Sequence, residues 1–212
     1  MAASKAGFMK DAFILFAITL VSGICLGFVY EITKGPIEQA TIAANNATYQ
    51  AVLPAASQFD AVEGSEEQAA VLNASGELSQ YGNVGVESVL EGTDASGNPV
   101  GYVLNTYSND SYGGLVSLSV GVDMEGTIVG VGIREISDTP GLGLKAQDAE
   151  YTDQFVGKNA DALTVTKSGS ATETEINAIS GATITSEATT NAVNAGLYYL
   201  HTYLEYEVRV YE

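Results

Sequence analysis

From Ala12 to Tyr30 the chain reads AFILFAITLVSGICLGFVY without a charged side chain, about 19 residues, the length a helix needs to cross the hydrocarbon core of a bilayer. Beyond it the apolar pattern breaks into shorter pieces. Gly35-Pro36 marks an exit, because proline suits the first turn of a new helix. Ile37, Ala40, Ala44, Ala47 and Ala51 then recur at three- and four-residue steps and predict a connecting helix that ends at Leu53-Pro54. Residues 55–82 are polar, acidic and rich in Ala, Gly and Ser, and predict nothing firmer than short helical or strand pieces.

The period then changes. Val84–Leu90, Val100–Tyr107, Leu115–Val122 and Ile128–Ile133 are short runs of β-branched and aliphatic residues, several of them alternating, and they predict antiparallel strands. Asp94–Asn98 and Asp123–Gly126 are the hairpin connections this implies. A loop over Ser137–Gly143, a short helix from Ala149 to Val156, a strand over Leu163–Lys167 and a long helix from Glu187 to about Tyr206 complete the chain. The expected class is α+β, an antiparallel sheet packed with helices after a single N-terminal transmembrane helix. The expected layout is 1–11 as a cytoplasmic N-terminus, 12–30 as the span, 31–54 as the connecting helix and 55–212 as an extracytoplasmic domain.

Lys5 and Lys10 precede the apolar run and only Lys34 follows it closely, so the positive-inside bias places the N-terminus in the cytoplasm and the larger part outside. A cleaved signal peptide is the competing reading. The run is long for a signal, and Val29-Tyr30-Glu31-Ile32 offers no small-residue cleavage site, which favours a retained anchor in the cell membrane. Gly23 and Gly27 leave room for another membrane helix to approach.

The 212 residues carry a formal net charge of −18, with only eight Lys and Arg, scattered. A phosphate backbone would be repelled, which excludes nucleic acid as a partner. Cys25 is the single cysteine and His201 the single histidine, so no intrachain disulfide and no thiolate metal cluster can form, and no acidic spacing matches a calcium loop. His201, in an apolar, Tyr-rich helical stretch, reads as structural.

The candidate chemistry lies in Asn177–Ser186. In Ser180-Gly181-Ala182-Thr183 two small residues stand between hydroxyls. Small residues let the backbone approach a bulky group, a hydroxyl can be esterified, and the start of the following helix favours a phosphate. The same four residues also make an ordinary turn before a helix cap. Gly141-Leu142-Gly143 lacks the third glycine and the strand-to-helix setting of a dinucleotide fingerprint.

Three segments in one order carry a resemblance: Tyr112-Gly113-Gly114-Leu115 running into Val120-Gly121-Val122-Asp123, then Asp138-Thr139-Pro140-Gly141-Leu142-Gly143-Leu144-Lys145, then Ser180-Gly181-Ala182-Thr183. Together with the anchor they resemble the RnfG/NqrC family of covalent-FMN subunits in membrane redox complexes. With so compact an ectodomain, the chain is most like the RnfG branch of that family. The resemblance implies FMN attached to Thr183 by a phosphoester, installed by a separate flavin transferase that uses FAD. That enzyme's target is similar to Asp-x-x-Ser/Thr-Gly-Ala-Thr/Ser, and here Asn177 stands where the Asp is expected. It also implies cofactor contacts from Ser180, Gly181, Ala182 and Thr185, and a second wall from Thr139, Pro140, Gly141, Leu142, Gly143 and Lys145. Leu142 would cover the ring face, and Thr139 or Lys145 would reach polar edges. No catalytic residue and no metal ligand is implied.

The implied function is electron transfer within an ion-translocating ferredoxin:NAD oxidoreductase. The implied partners are other integral and peripheral subunits of an Rnf-type complex, the flavin transferase during maturation, and the membrane. Alternatives are an NqrC-like component of a sodium-translocating quinone reductase, a stand-alone anchored flavoprotein reductase, and a noncatalytic binding domain in which Ser180–Thr183 is only a capped turn.

Overall fold

The computed structural model describes residues 2–204. A helix α1 covers Ala2–Val52, so the restart expected at Gly35-Pro36 is absent and span and connecting helix are one element. The chain falls into two compact units, Met1–Asn45 and the residues from Asn46 onward. In the first, Met9–Tyr30 is a 22-residue apolar stretch, none of it buried within the protein. Phe13, Leu15, Leu26 and Phe28 are all exposed. Such a surface is stable only against lipid or other protein.

The second unit opens with the end of α1, from Asn46 to Val52, and continues through β1 (Gln58–Ala61), α2 (Ser65–Ser75) and a 3-10 turn (Glu77–Tyr81). These are the pieces the featureless stretch 55–82 leaves unspecified. Strands β2 (Val84–Thr93), β3 (Pro99–Ser111), β4 (Gly114–Asp123) and β5 (Ile128–Ile136) follow, each longer than its sequence pattern. They form one antiparallel meander in the order β1-β2-β3-β4-β5. Both hairpins expected from sequence are closed by an aspartate: Asp94 Oδ1 accepts from the Ser96 and Asn98 amides at 2.7 and 2.9 Å, and Asp123 Oδ1 accepts from Glu125 and Thr127 at 3.0 and 2.8 Å. The expected α+β class with an antiparallel sheet is what the structure shows.

After β5 come a 3-10 turn (Gly143–Gln147), α3 (Ala149–Thr152) running into another such turn (Asp153–Phe155), and β6 (Thr164–Thr166), which pairs in parallel with β7 (Glu175–Asn177). Helix α4 (Thr183–Tyr199) and a π-helical turn (Leu200–Leu204) end the described chain; the expected end near Tyr206 lies outside the described residues. His201, half-buried in that turn, holds Nε2 3.9 Å from Asp161 Oδ1.

The meander is buried on both faces. Val116, Leu118, Val120 and Val122 of β4 point one way into the main core with Leu104 of β3 and Ala192, Val193 and Leu197 of α4. On the other face Tyr49, Val52, Leu53, Ala56 and Val103 make a smaller core. Gly121 and Gly130 are opposite one another in β4 and β5, and the Val52 carbonyl lies so near both that a Cβ at either would collide with it. Beside this contact a buried polar knot joins helix to sheet. Asn105 Nδ2 donates to the Tyr49 hydroxyl (3.1 Å) and Ser88 Oγ (2.9 Å), while Ser119 Oγ donates to Asn105 Oδ1 (2.6 Å).

Candidate functional site

Helix α4 begins at Thr183, four residues before the Glu187 start read from sequence. Thr-Ile-Thr-Ser has modest helix propensity, and tertiary bonds override it. The Ser186 amide and hydroxyl both donate to the Ala182 carbonyl at 3.0 Å, and the Ser186 hydroxyl accepts from the Ile179 amide at 2.9 Å. The Tyr151 hydroxyl donates to the Ser186 carbonyl at 3.1 Å. Burial pushes the Tyr151 phenol up to about 12, against the smaller opposing pull of the neighbouring Thr190 and Ser186. The phenol is therefore a fixed neutral donor at the start of the helix.

No side chain caps this helix, so the amides of its first turn, on Thr183, Ile184 and Thr185, have no bond within the described residues. Partial positive charge from the backbone adds to them. The Thr183 hydroxyl, half-buried, also enters no hydrogen bond there.

Thr183 lines a cavity of about 510 Å³, within the range of small-molecule sites. Three segments converge on it. The turn into α4 supplies Gly181, Ala182, Thr183, Ile184 and Thr185; the loop after β5 supplies Asp138, Thr139, Leu142 and Gly143; the β3–β4 hairpin tip supplies Tyr112. Tyr112, Leu142 and Ile184 are 72%, 43% and 52% exposed, an apolar rim with nothing covering it among the described residues. Gly181 has φ +77°, and a Cβ there would stand 3.2 Å from Leu142 Cδ2. Gly143 has no room for a side chain either, since a Cβ would lie 2.6 Å from the Asp138 Cβ and 2.7 Å from Thr185 Oγ1.

The structure thus brings together Thr183, Gly181, Ala182, Thr185, Thr139, Leu142 and Gly143. Pro140 and Gly141 are exposed in the loop and line neither large cavity. Ser180 and Lys145 face a different cleft of about 570 Å³, shared with Asn177 and Gln154. There the Gln154 side chain brackets the backbone of Asn177, accepting from its N–H at 2.8 Å and donating to its carbonyl at 3.4 Å.

Sequence reasoning passed over Tyr112, Ile184 and Asp138 as lining residues. Tyr112 and Asp138 lie inside the quoted segments, but no pattern marks an aspartate before Thr-Pro as buried. Asp138 is 6% exposed. It accepts from the Ser111 hydroxyl at 2.6 Å through Oδ2 and from the Gly113 amide through Oδ1, and so joins the hairpin tip to the loop.

Known proteins share these segments. An FMN-binding domain matches residues 111–198, a stretch that holds all three converging segments. The G component of the Na(+)-translocating ferredoxin:NAD(+) oxidoreductase complex of Acetobacterium woodii is 35% identical over 192 residues, covering 89% of each chain. The chain belongs to the RnfG family. Its proton-translocating counterpart from Clostridium ljungdahlii is 34% identical, a match that covers 87% of this RnfG-family chain and 90% of the relative. The crystal structure of Shewanella oneidensis NqrC overlaps 57% of this chain and 61% of its own at 22% identity, with a TM-score of 0.49.

Proposed function

We propose that this chain carries FMN as a phosphoester on Thr183 and serves as an electron-transfer subunit of a membrane-bound, ion-translocating ferredoxin:NAD oxidoreductase. The names of its relatives support the assembly, and the FMN-binding domain supports the cofactor. One observation carries the attachment point: the hydroxyl of Thr183 is unengaged, lines the cavity, and begins a helix whose first amides lack partners.

Those features fit the group. Unpartnered amides at the start of α4 suit a phosphate in a chain whose net charge is −18. Leu142 and Ile184 suit a flat apolar ring, and Gly181 and Gly143 keep the walls clear of side chains. The bound FMN supplies the redox chemistry, while the protein supplies position and electrostatics. A threonine hydroxyl needs an external base to act as a nucleophile, which agrees with a separate transferase. The Thr183 oxygen forms a bond to the FMN phosphorus of FAD, its proton passes to the transferase, and AMP leaves.

Residues 12–30, within the apolar stretch Met9–Tyr30, are the anchor in this reading, with Lys5 and Lys10 keeping the N-terminus cytoplasmic and residues 55–212 forming an extracytoplasmic FMN-binding domain. The test is the full-length chain made with an active flavin transferase, denatured, digested and weighed. A riboflavin-phosphate mass on the Thr183 peptide, missing in Thr183→Val, is the expected result. A bare Thr183 peptide beside a demonstrably active transferase overturns the proposal.

A further inference from the structure

Asp138 is the one side chain with a formal charge among the described residues lining the Thr183 cavity. It is 6% exposed, and its two oxygens accept from Ser111 Oγ at 2.6 Å and from the Gly113 amide. Ser111 is itself buried. Gly143 packs closely against the aspartate, so that a Cβ there would lie 2.6 Å from both the Asp138 Cβ and its Oδ2. The acidic group is therefore held in place on the cavity wall and screened from water. Among the described residues no Lys, Arg or His shares that wall.

We propose that Asp138 is a potential-setting residue, a fixed negative charge that disfavours electron entry into the flavin and holds its reduction potential low. This rests on the reading of the cavity as the flavin site. Reduction begins with one electron passing from a donor to the ring, which adds one negative charge before any proton follows. A like charge fixed in a poorly hydrated wall opposes that step more strongly than one in water. The Ser111 and Gly113 donors spread part of the charge, so weakening either bond strengthens the field that reaches the ring.

The two bonds make the electrostatic role separable from a purely mechanical one. Asp138→Asn removes the charge, and Ser111→Ala keeps the charge but removes a donor. Both loosen the connection between hairpin tip and loop, so a mechanical role moves the potential in the same direction in both. The electrostatic role moves it in opposite directions.

The experiment is a spectroelectrochemical titration of the flavin in the full-length flavinylated protein in detergent, with mediators as electron donors. The expected result is a rise in midpoint potential for Asp138→Asn, with the one-electron equilibrium shifted tenfold or more, about 59 mV, and a fall for Ser111→Ala. If Asp138→Asn does not fold, judged by circular dichroism, the sign of the Ser111→Ala shift decides: a fall supports the proposal, and no change or a rise overturns it. If both variants fold, an unmoved Asp138→Asn potential, or shifts of one sign in both, overturns it. A wild-type chain that carries no flavin with the transferase active defeats the earlier reading of the cavity instead, and is recognised before any potential is measured.

Discussion

Leu142 lies over Gly181 with its Cδ2 atom 3.2 Å from where a Cβ on residue 181 would stand. That approach joins the loop after β5 to the turn that presents Thr183. It also exploits a backbone that only glycine adopts without strain, φ +77°. Gly181→Ala is expected to cost about 1–3 kcal/mol and to push Leu142 off the turn. Thermal melting of the flavinylated and unflavinylated chain, with in-gel flavin fluorescence, measures both effects. Wild-type melting and wild-type loading together would show that the approach is incidental.

The Tyr151 phenol makes stability fall in alkali. Its folded-state pKa is raised from 10.0 to about 12, so its contribution is complete below 10 and disappears as pH rises through 12. Between those values the unfolded chain has released the proton and the native chain still holds it, and stability drops with pH. Urea unfolding of Tyr151→Phe at a series of pH values should show a shallower alkaline decline than wild type. At neutral pH the lost bond to the Ser186 carbonyl should cost about 1 kcal/mol. Identical slopes in the two proteins would remove Tyr151 from the account.

Asn105 serves Tyr49, Ser88 and Ser119 at once. Asn105→Ala leaves the buried Ser119 hydroxyl without its acceptor, and a cost of about 2 kcal/mol is expected. The urea midpoint should fall with the denaturant dependence unchanged. A change within about 0.5 kcal/mol, typical of surface sites, would mean that water replaces the side chain freely.

Thr183→Ser separates attachment from helix start. Serine keeps a hydroxyl at the first position of α4, so melting should be close to wild type, while Thr183→Val abolishes the covalent adduct. Peptide mass spectrometry reads the adduct in each. Retention of a full adduct in Thr183→Val would move the linkage to Thr185 or Ser186.

The strands were readable because their patterns are local. Leu118, Val120 and Val122 alternate with Ser117, Ser119 and Gly121, as a sheet requires. Helix α2 was not, since Ser65–Ser75 has three acceptable helix formers in its first turn but gathers most of its apolar residues into the run Ala69–Leu72 instead of a spaced stripe; only Ala69 and Leu72 are buried among its hydrophobic positions. The start of α4 at Thr183 depends on Ser186, Ile179 and Tyr151 meeting in space, which no neighbouring residue announces. The Ser180–Thr183 segment was legible as a turn before a helix. That it divides two cavities, with Ser180 on one and Thr183 on the other, was not, because a turn's sequence does not say what stands on either side. Asp138 was hidden for the same reason: its two donors come from residues 25 and 27 positions earlier.

Where Val52 crosses the sheet, Gly121 and Gly130 offer it bare main chain. Side chains at a contact can change rotamer and absorb small displacements; main chain has no such slack. A displacement of Val52 by a fraction of an ångström must therefore be met by the strands themselves, and the same hairpin that receives it runs on to Ser137 and the loop facing Thr183.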